Sequence, residues 1–250
     1  MYSPYDFNQS IAHRAEYVEE RLKGGAPVVA ISYDQGILIW TVKRTQRKVF
    51  EIYDKLMYSA IGNQADVEAV RLAAIDFAHQ EGFVRSPDDV SIQRLVGFAI
   101  SPPLKRSFGD TFNTPNVLRA VFAEIGHTPE RDSYFVLNYD GDFTTHIRFA
   151  VVAGSEIAES AMRTELESDT NIPDLATALT RAAAAWRAGS RDYTDRSDTD
   201  DEQRVGTETE ETDPLREALS NGGTIEAAIL ERDTPRESKF RLLLPEEAVL

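Results

Sequence analysis

Residues 24–39 read Gly-Gly-Ala-Pro-Val-Val-Ala-Ile-Ser-Tyr-Asp-Gln-Gly-Ile-Leu-Ile, and residues 47–62 read Arg-Lys-Val-Phe-Glu-Ile-Tyr-Asp-Lys-Leu-Met-Tyr-Ser-Ala-Ile-Gly. Each stretch holds two apolar runs parted by a polar turn. In the first, Val28 to Tyr33 and Ile37 to Val42 flank Asp34-Gln35-Gly36, the pattern of a β-hairpin. In the second, Val49 to Tyr53 and Leu56 to Ile61 form another pair of short strands, closed by Gly62-Asn63. Runs of this length, rich in Val, Ile and Tyr, suit strands better than helices.

On the N-terminal side, Ile11, Ala15, Val18 and Leu22 recur at helical spacing, which predicts a helix over 10–23 stopped by Gly24-Gly25 and leaves 1–9 as a tail. On the C-terminal side an Ala-rich helix is expected from about Ala65 to Gln80. It turns Val67, Val70, Ala74 and Phe77 to one face, with Gly82 at its C-cap. Ser86-Pro87-Asp88-Asp89 has a capping Ser, a Pro at the first helical position and acids at the positive dipole end. The helix it opens is expected to bury Val90, Leu95 and Phe98 and to stop near Ser101-Pro102-Pro103.

Strands follow over Val117 to Ile125 and Tyr134 to Asn138, then a turn at Tyr139-Asp140-Gly141-Asp142 and a buried strand from Phe149 to Ala153. Helices over Glu156 to Glu167 and Asp174 to Arg187 come next. Ile225 to Leu230 and Phe240 to Leu243 read as strands, and Pro245-Glu246-Glu247 opens a short last helix. This order predicts one α+β domain over 1–250, an antiparallel sandwich with helices on its outer faces.

The 250 residues carry 27 Lys and Arg against 42 Asp and Glu, a net charge of −15, with no Cys. That balance argues against nucleic-acid and anionic-membrane partners. The lack of Cys excludes disulfides, thiolate catalysis and Cys-ligated zinc, and suits the cytoplasm. No apolar run reaches membrane-span length, and no signal peptide is visible. From Arg191 to Asp213, ten acids and three bases give a net −7 with one Val and one Tyr, so 191–213 reads as an acidic disordered loop. His13, His79, His127 and His146 lack metal-ligand spacing. Asp140-Gly141-Asp142 lacks the alternating ligands and closing Glu of a calcium loop, and no phosphate-binding glycine loop occurs. Neither a metal nor a cofactor is expected.

The order and spacing of these pieces resemble the 20S proteasome α-type subunit, the bacterial version most closely. The pieces are the two quoted stretches, Tyr139-Asp140-Gly141, Phe149-Ala150-Val151-Val152-Ala153-Gly154, Thr224 to Glu231 and Phe240-Arg241. The resemblance implies a four-layer αββα sandwich of the Ntn-hydrolase type with an extra N-terminal helix. Related β-type subunits cleave peptides with an N-terminal threonine, whose own amino group serves as base. Here Ala26-Pro27-Val28 heads the first core strand, Val42 takes the acid position, and only Lys48 matches the catalytic lysine's place. The resemblance therefore implies a non-catalytic subunit of a threonine-endopeptidase complex.

It further implies a heptameric outer ring of identical α subunits on a ring of β-type subunits, with an unfolding AAA-type ATPase docked above. In the family, segments ahead of the first helix close the pore. The gate candidates are Met1 to Gln9, with Tyr5-Asp6 similar to the Tyr-Asp start of other gates, and Tyr17, which matches a tyrosine supporting the open gate. Lys48 matches a lysine that lines a pocket between adjacent subunits and receives the C-terminal carboxylate of an activator tail, and Gly62 a glycine that lets the tail's backbone approach. Two other readings stand beside this one: a self-contained peptidase of the superfamily, or a stand-alone binding protein that uses the fold.

Overall fold

The computed structural model describes residues 4–168, 171–191 and 213–248. Ten strands form two five-stranded antiparallel sheets. The first sheet has the order β10-β9-β2-β1-β8, from β1 (Val28–Tyr33), β2 (Gly36–Lys43), β8 (Phe149–Val152), β9 (Thr224–Glu231) and β10 (Phe240–Leu242). The second has the order β3-β4-β5-β6-β7, from β3 (Val49–Tyr53), β4 (Leu56–Gly62), β5 (Leu118–Glu124), β6 (Ser133–Leu137) and β7 (Phe143–His146).

Strands buried on both faces explain the continuous apolar runs. β1 is buried throughout, and its even and odd positions feed different cores. Val28, Ala30, Ile37 and Ile39 point between the sheets, where they meet Met57, Ile61, Val121 and Val136. Val29, Ile31, Leu38 and Trp40 point the other way, against α5 (Glu156–Glu167) and α6 (Leu175–Gly189). On the far side of the second sheet, Tyr58, Leu118 and Phe122 pack against α2 (Gln64–Val84) and the helical run from Ile92 to Gly109. The layers are helix, sheet, sheet, helix: the four-layer αββα sandwich.

The first helix, α1 (Pro4–Leu22), is longer than the sequence pattern implied and takes in Pro4 to Gln9 as its first turns. Met1–Ser3 lies outside the described residues. Val18 and Leu22 are fully buried in the core between the sheets, while Ile11 and Ala15 are only half-buried. The buried neighbour one turn before Val18 is Arg14, which the apolar spacing did not single out. Its guanidinium donates to the carbonyls of Ser107 at 3.0 Å, Phe108 at 2.9 Å and Asn113 at 2.5 Å. Ser107 and Phe108 belong to the last turn of α4 (Ser101–Gly109), where the helix dipole favours a cation, and Asn113 lies in the turn that follows.

Three further expectations need correction. Gly82 does not cap α2, which continues to Val84; a Cβ at Gly82 would stand 2.3 Å from the Tyr53 hydroxyl, so the glycine serves helix-to-strand packing. The Ser86-Pro87-Asp88-Asp89 signal opens only a 3-10 turn that breaks at Val90, and Ser91 caps the helix that follows. That helix begins as α3 (Ile92–Arg94) and widens to a π segment, Leu95–Ile100, before α4. The extra residue per π turn carries Phe98 off the buried stripe of Leu95, Val96 and Ile100, and it is 70% exposed. Pro102 and Pro103 then sit at the start of α4, directly after the π segment.

Strand β7 and helix α7 (Pro214–Ser220) leave no long apolar pattern in the sequence. The segment 192–212, most of the acidic run, lies outside the described residues. Among the described residues no helix is long and apolar enough to cross a membrane.

Candidate functional site

The turn from α1 into β1, Lys23 to Ala26, meets the loop between β2 and β3 and the end of β4 around a cleft of about 530 Å³. Lys48 and Gly62 both line it, and Pro214, Ala218 and Gly223 of the α7 segment close its other side. The structure therefore brings together the two residues expected to form a tail pocket.

Lys48 is half-buried, and its ammonium is directed inward. Nζ donates to the Ala26 carbonyl at 2.6 Å and to Thr41 Oγ1 at 3.1 Å. The Thr41 hydroxyl in turn donates to the Pro27 carbonyl at 2.7 Å. The backbone N–H of Lys48 donates to Glu226 Oε2 at 2.8 Å. Glu226 is a buried carboxylate on β9, with Arg47 at 3.5 Å and Lys43 at 3.9 Å. Burial lowers the Lys48 pKa to about 7, and the Glu226 charge opposes that shift.

Thr41 and Glu226 escaped the sequence reading. In the sequence Thr41 is one more residue of an apolar strand. Glu226 left a faint signal, a carboxylate inside the run Ile-Glu-Ala-Ala-Ile-Leu at 225–230.

The head of β1 offers no nucleophile. Ala26 carries a methyl group, its nitrogen is in a peptide bond with Gly25, and its carbonyl accepts from Lys48. Lys48 thus fixes the α1–β1 junction, where a catalytic relative would need a free amino terminus. Val42 at the acid position is buried and apolar.

Gly62 differs from the expectation in one respect. Its φ is +128°, and a Cβ built on it would fall 2.1 Å from the Val117 carbonyl. The space freed by glycine is filled by β5's backbone, and Gly62 offers the cleft its own backbone only. Gly62→Ala is expected to cost about 2–4 kcal/mol, from backbone strain and the clash. Thermal denaturation checks this, and an unchanged Tm would contradict it.

Tyr17 is not part of this cleft. It is 40% exposed on α1, with the Arg21 guanidinium 5.0 Å from its ring centroid, and it borders a separate shallow groove with His13, Arg14 and Thr111. Tyr5 and Asp6 fall in the first turn of α1, roughly 18 Å along the helix before Tyr17. The other end of α1 runs into the Lys48 cleft at Lys23.

No protein-family model matches the chain. Curated relatives do. A proteasome subunit alpha of Actinosynnema mirum is 30% identical over 240 residues, covering 94% of this chain and 81% of that protein. The chain belongs to the proteasome α-subunit family. Proteasome alpha subunits of Xylanimonas cellulosilytica and Jonesia denitrificans are 28% and 27% identical, each over 94% of this chain and over 88% and 90% of their own lengths. This α subunit is of the bacterial type, and its sandwich is the proteasome-type fold.

Proposed function

We propose that this α subunit is non-catalytic and forms a heptameric outer ring on β-type subunits, gates entry to their chamber, and docks the C-terminal tails of a ring-shaped unfolding ATPase. The observation that carries the reading is the Lys48 cleft. A lysine ammonium, enclosed beside Gly62, stands in a pocket whose acidic lining, among the described residues, is Glu217. An arriving carboxylate finds a charge-assisted donor in a partly dehydrated site. Ala26 at the head of β1, already held by Lys48, supports assigning the chemistry to another subunit.

Gating rests on α1. The helix joins the Tyr5-Asp6 end to the Lys23 end of the cleft as one continuous element, and Arg14, Val18 and Leu22 anchor it. A rigid element between pocket and pore edge is suited to couple the two.

The purified chain, free of β subunits, is expected to leave fluorogenic peptides uncut. Turnover that is blocked by a threonine-directed inhibitor in such a preparation would overturn the non-catalytic assignment. Docking is tested by the Lys48 variants taken up in the Discussion.

A further inference from the structure

The Lys48 cleft concentrates cations in a chain whose net charge is −15. Lys23, Lys43, Arg44 and Arg47 line it together with Lys48. Three carboxylates answer them. Glu20 holds Lys23 at 2.5 Å, Glu226 faces Arg47 and Lys43 at 3.5 and 3.9 Å, and Glu217 lines the opposite side. Among the described residues, five cations against three carboxylates leave an excess of positive charge at the cleft. Arg44 is exposed on the β2–β3 loop, and among the described residues it makes no ion pair or hydrogen bond. Ile61 and Ala218 supply apolar wall.

Each part selects a different feature of a ligand. The enclosed ammonium takes one carboxylate at depth. The apolar wall accepts small or aliphatic side chains beside it. Arg44, free at the mouth, has charge to offer whatever follows the buried end outward. With a net charge of −15 the chain as a whole disfavours anionic segments, so a cation-rich cleft is a favourable place for one to dock.

Resting on the docking reading above, we propose that the cleft prefers chain ends in which acidic residues precede an aliphatic C-terminus bearing a free carboxylate, with Arg44 as the residue that reads the acids. The partner tail is an acidic peptide end rather than any carboxylate-terminated chain. Because Arg44 is exposed, the preference weakens with salt, whereas the enclosed contact at Lys48 is screened less.

The test uses the full-length protein and four fluorescein-labelled octapeptides. The sequence Gly-Ser-Gly-Asp-Asp-Ala-Leu-Ala and its Asn-Asn counterpart are each made as free acid and as C-terminal amide. Fluorescence anisotropy is expected to show the Asp-Asp free acid binding about two- to fivefold more tightly than the Asn-Asn free acid at about 50 mM salt. The gap is expected to narrow at about 500 mM. In Arg44→Glu protein the preference is expected to vanish or invert. Equal affinities of the two free acids would overturn the selectivity and leave docking standing. Amides that bind as tightly as free acids would overturn both, because the cleft would then be a general anion surface.

Discussion

Assembled particles carrying Lys48→Ala are expected to bind the ATPase about tenfold to a hundredfold more weakly per tail, the cost of one charge-assisted hydrogen bond, roughly 1.5–3 kcal/mol. Several tails dock together, so ATPase-dependent degradation of a folded protein falls further. Basal cleavage of short peptides stays near wild type. The variant also leaves the Ala26 carbonyl and Thr41 without their donor, so assembly is checked by size. Lys48→Arg restores binding only in part, since a planar guanidinium does not fit the space of an ammonium set between two fixed acceptors. Equal activator affinity in wild type and Lys48→Ala would show that the lysine serves the α1–β1 junction alone.

The same lysine is expected to make docking sensitive to pH. In the free subunit its pKa is about 7, and an incoming carboxylate raises it by favouring the charged form. Docking then takes up a proton. Affinity is full below about pH 7 and falls as pH rises through that value, by about tenfold per unit until the pKa of the bound state is reached. Isothermal titration in buffers of different ionisation enthalpy measures the proton uptake. No uptake at pH 8, with affinity flat from pH 6.5 to 8.5, would contradict the assignment.

Deleting Met1 to Gln9 is expected to raise hydrolysis of short peptides severalfold in the assembled particle. The deletion removes the first turns of α1 together with Met1–Ser3. It spares Arg14, Val18 and Leu22, which hold α1 to α4 and to the core between the sheets. A truncated particle that assembles and cleaves at the wild-type rate would place the gate outside this segment.

The core hairpins were legible because strands buried on both faces leave continuous apolar runs, and α5 because Ser155 caps an amphipathic run. Elements that draw little on burial were not. β7 is a short edge strand with mostly exposed side chains, and α7 is held by Asp213 and Pro214 at its start rather than by a long apolar stripe. The π segment was invisible for another reason: the period of the apolar pattern changes within it, so a stripe drawn at helical spacing puts Phe98 inside. The site shows the same division. By its neighbours in sequence Lys48 is an ordinary lysine before a strand, and only the family resemblance marked it. The ammonium is held by Ala26 and Thr41 and the backbone N–H by Glu226, which the fold gathers from the α1–β1 turn, β2 and β9. At Gly62 the need for glycine comes from its positive φ and its contact with Val117, which adjacent residues do not reveal.

The central claim is that this chain is an outer-ring subunit, and co-expression with a proteasome β-type chain tests it most directly. Native mass spectrometry, with negative-stain images of the purified complex, reads the outcome. The account predicts co-purification in one particle with sevenfold rings of this 27.9 kDa chain, about 195 kDa per ring, capping rings of the β chain. A chain that stays at its monomer mass and binds no β subunit would contradict it.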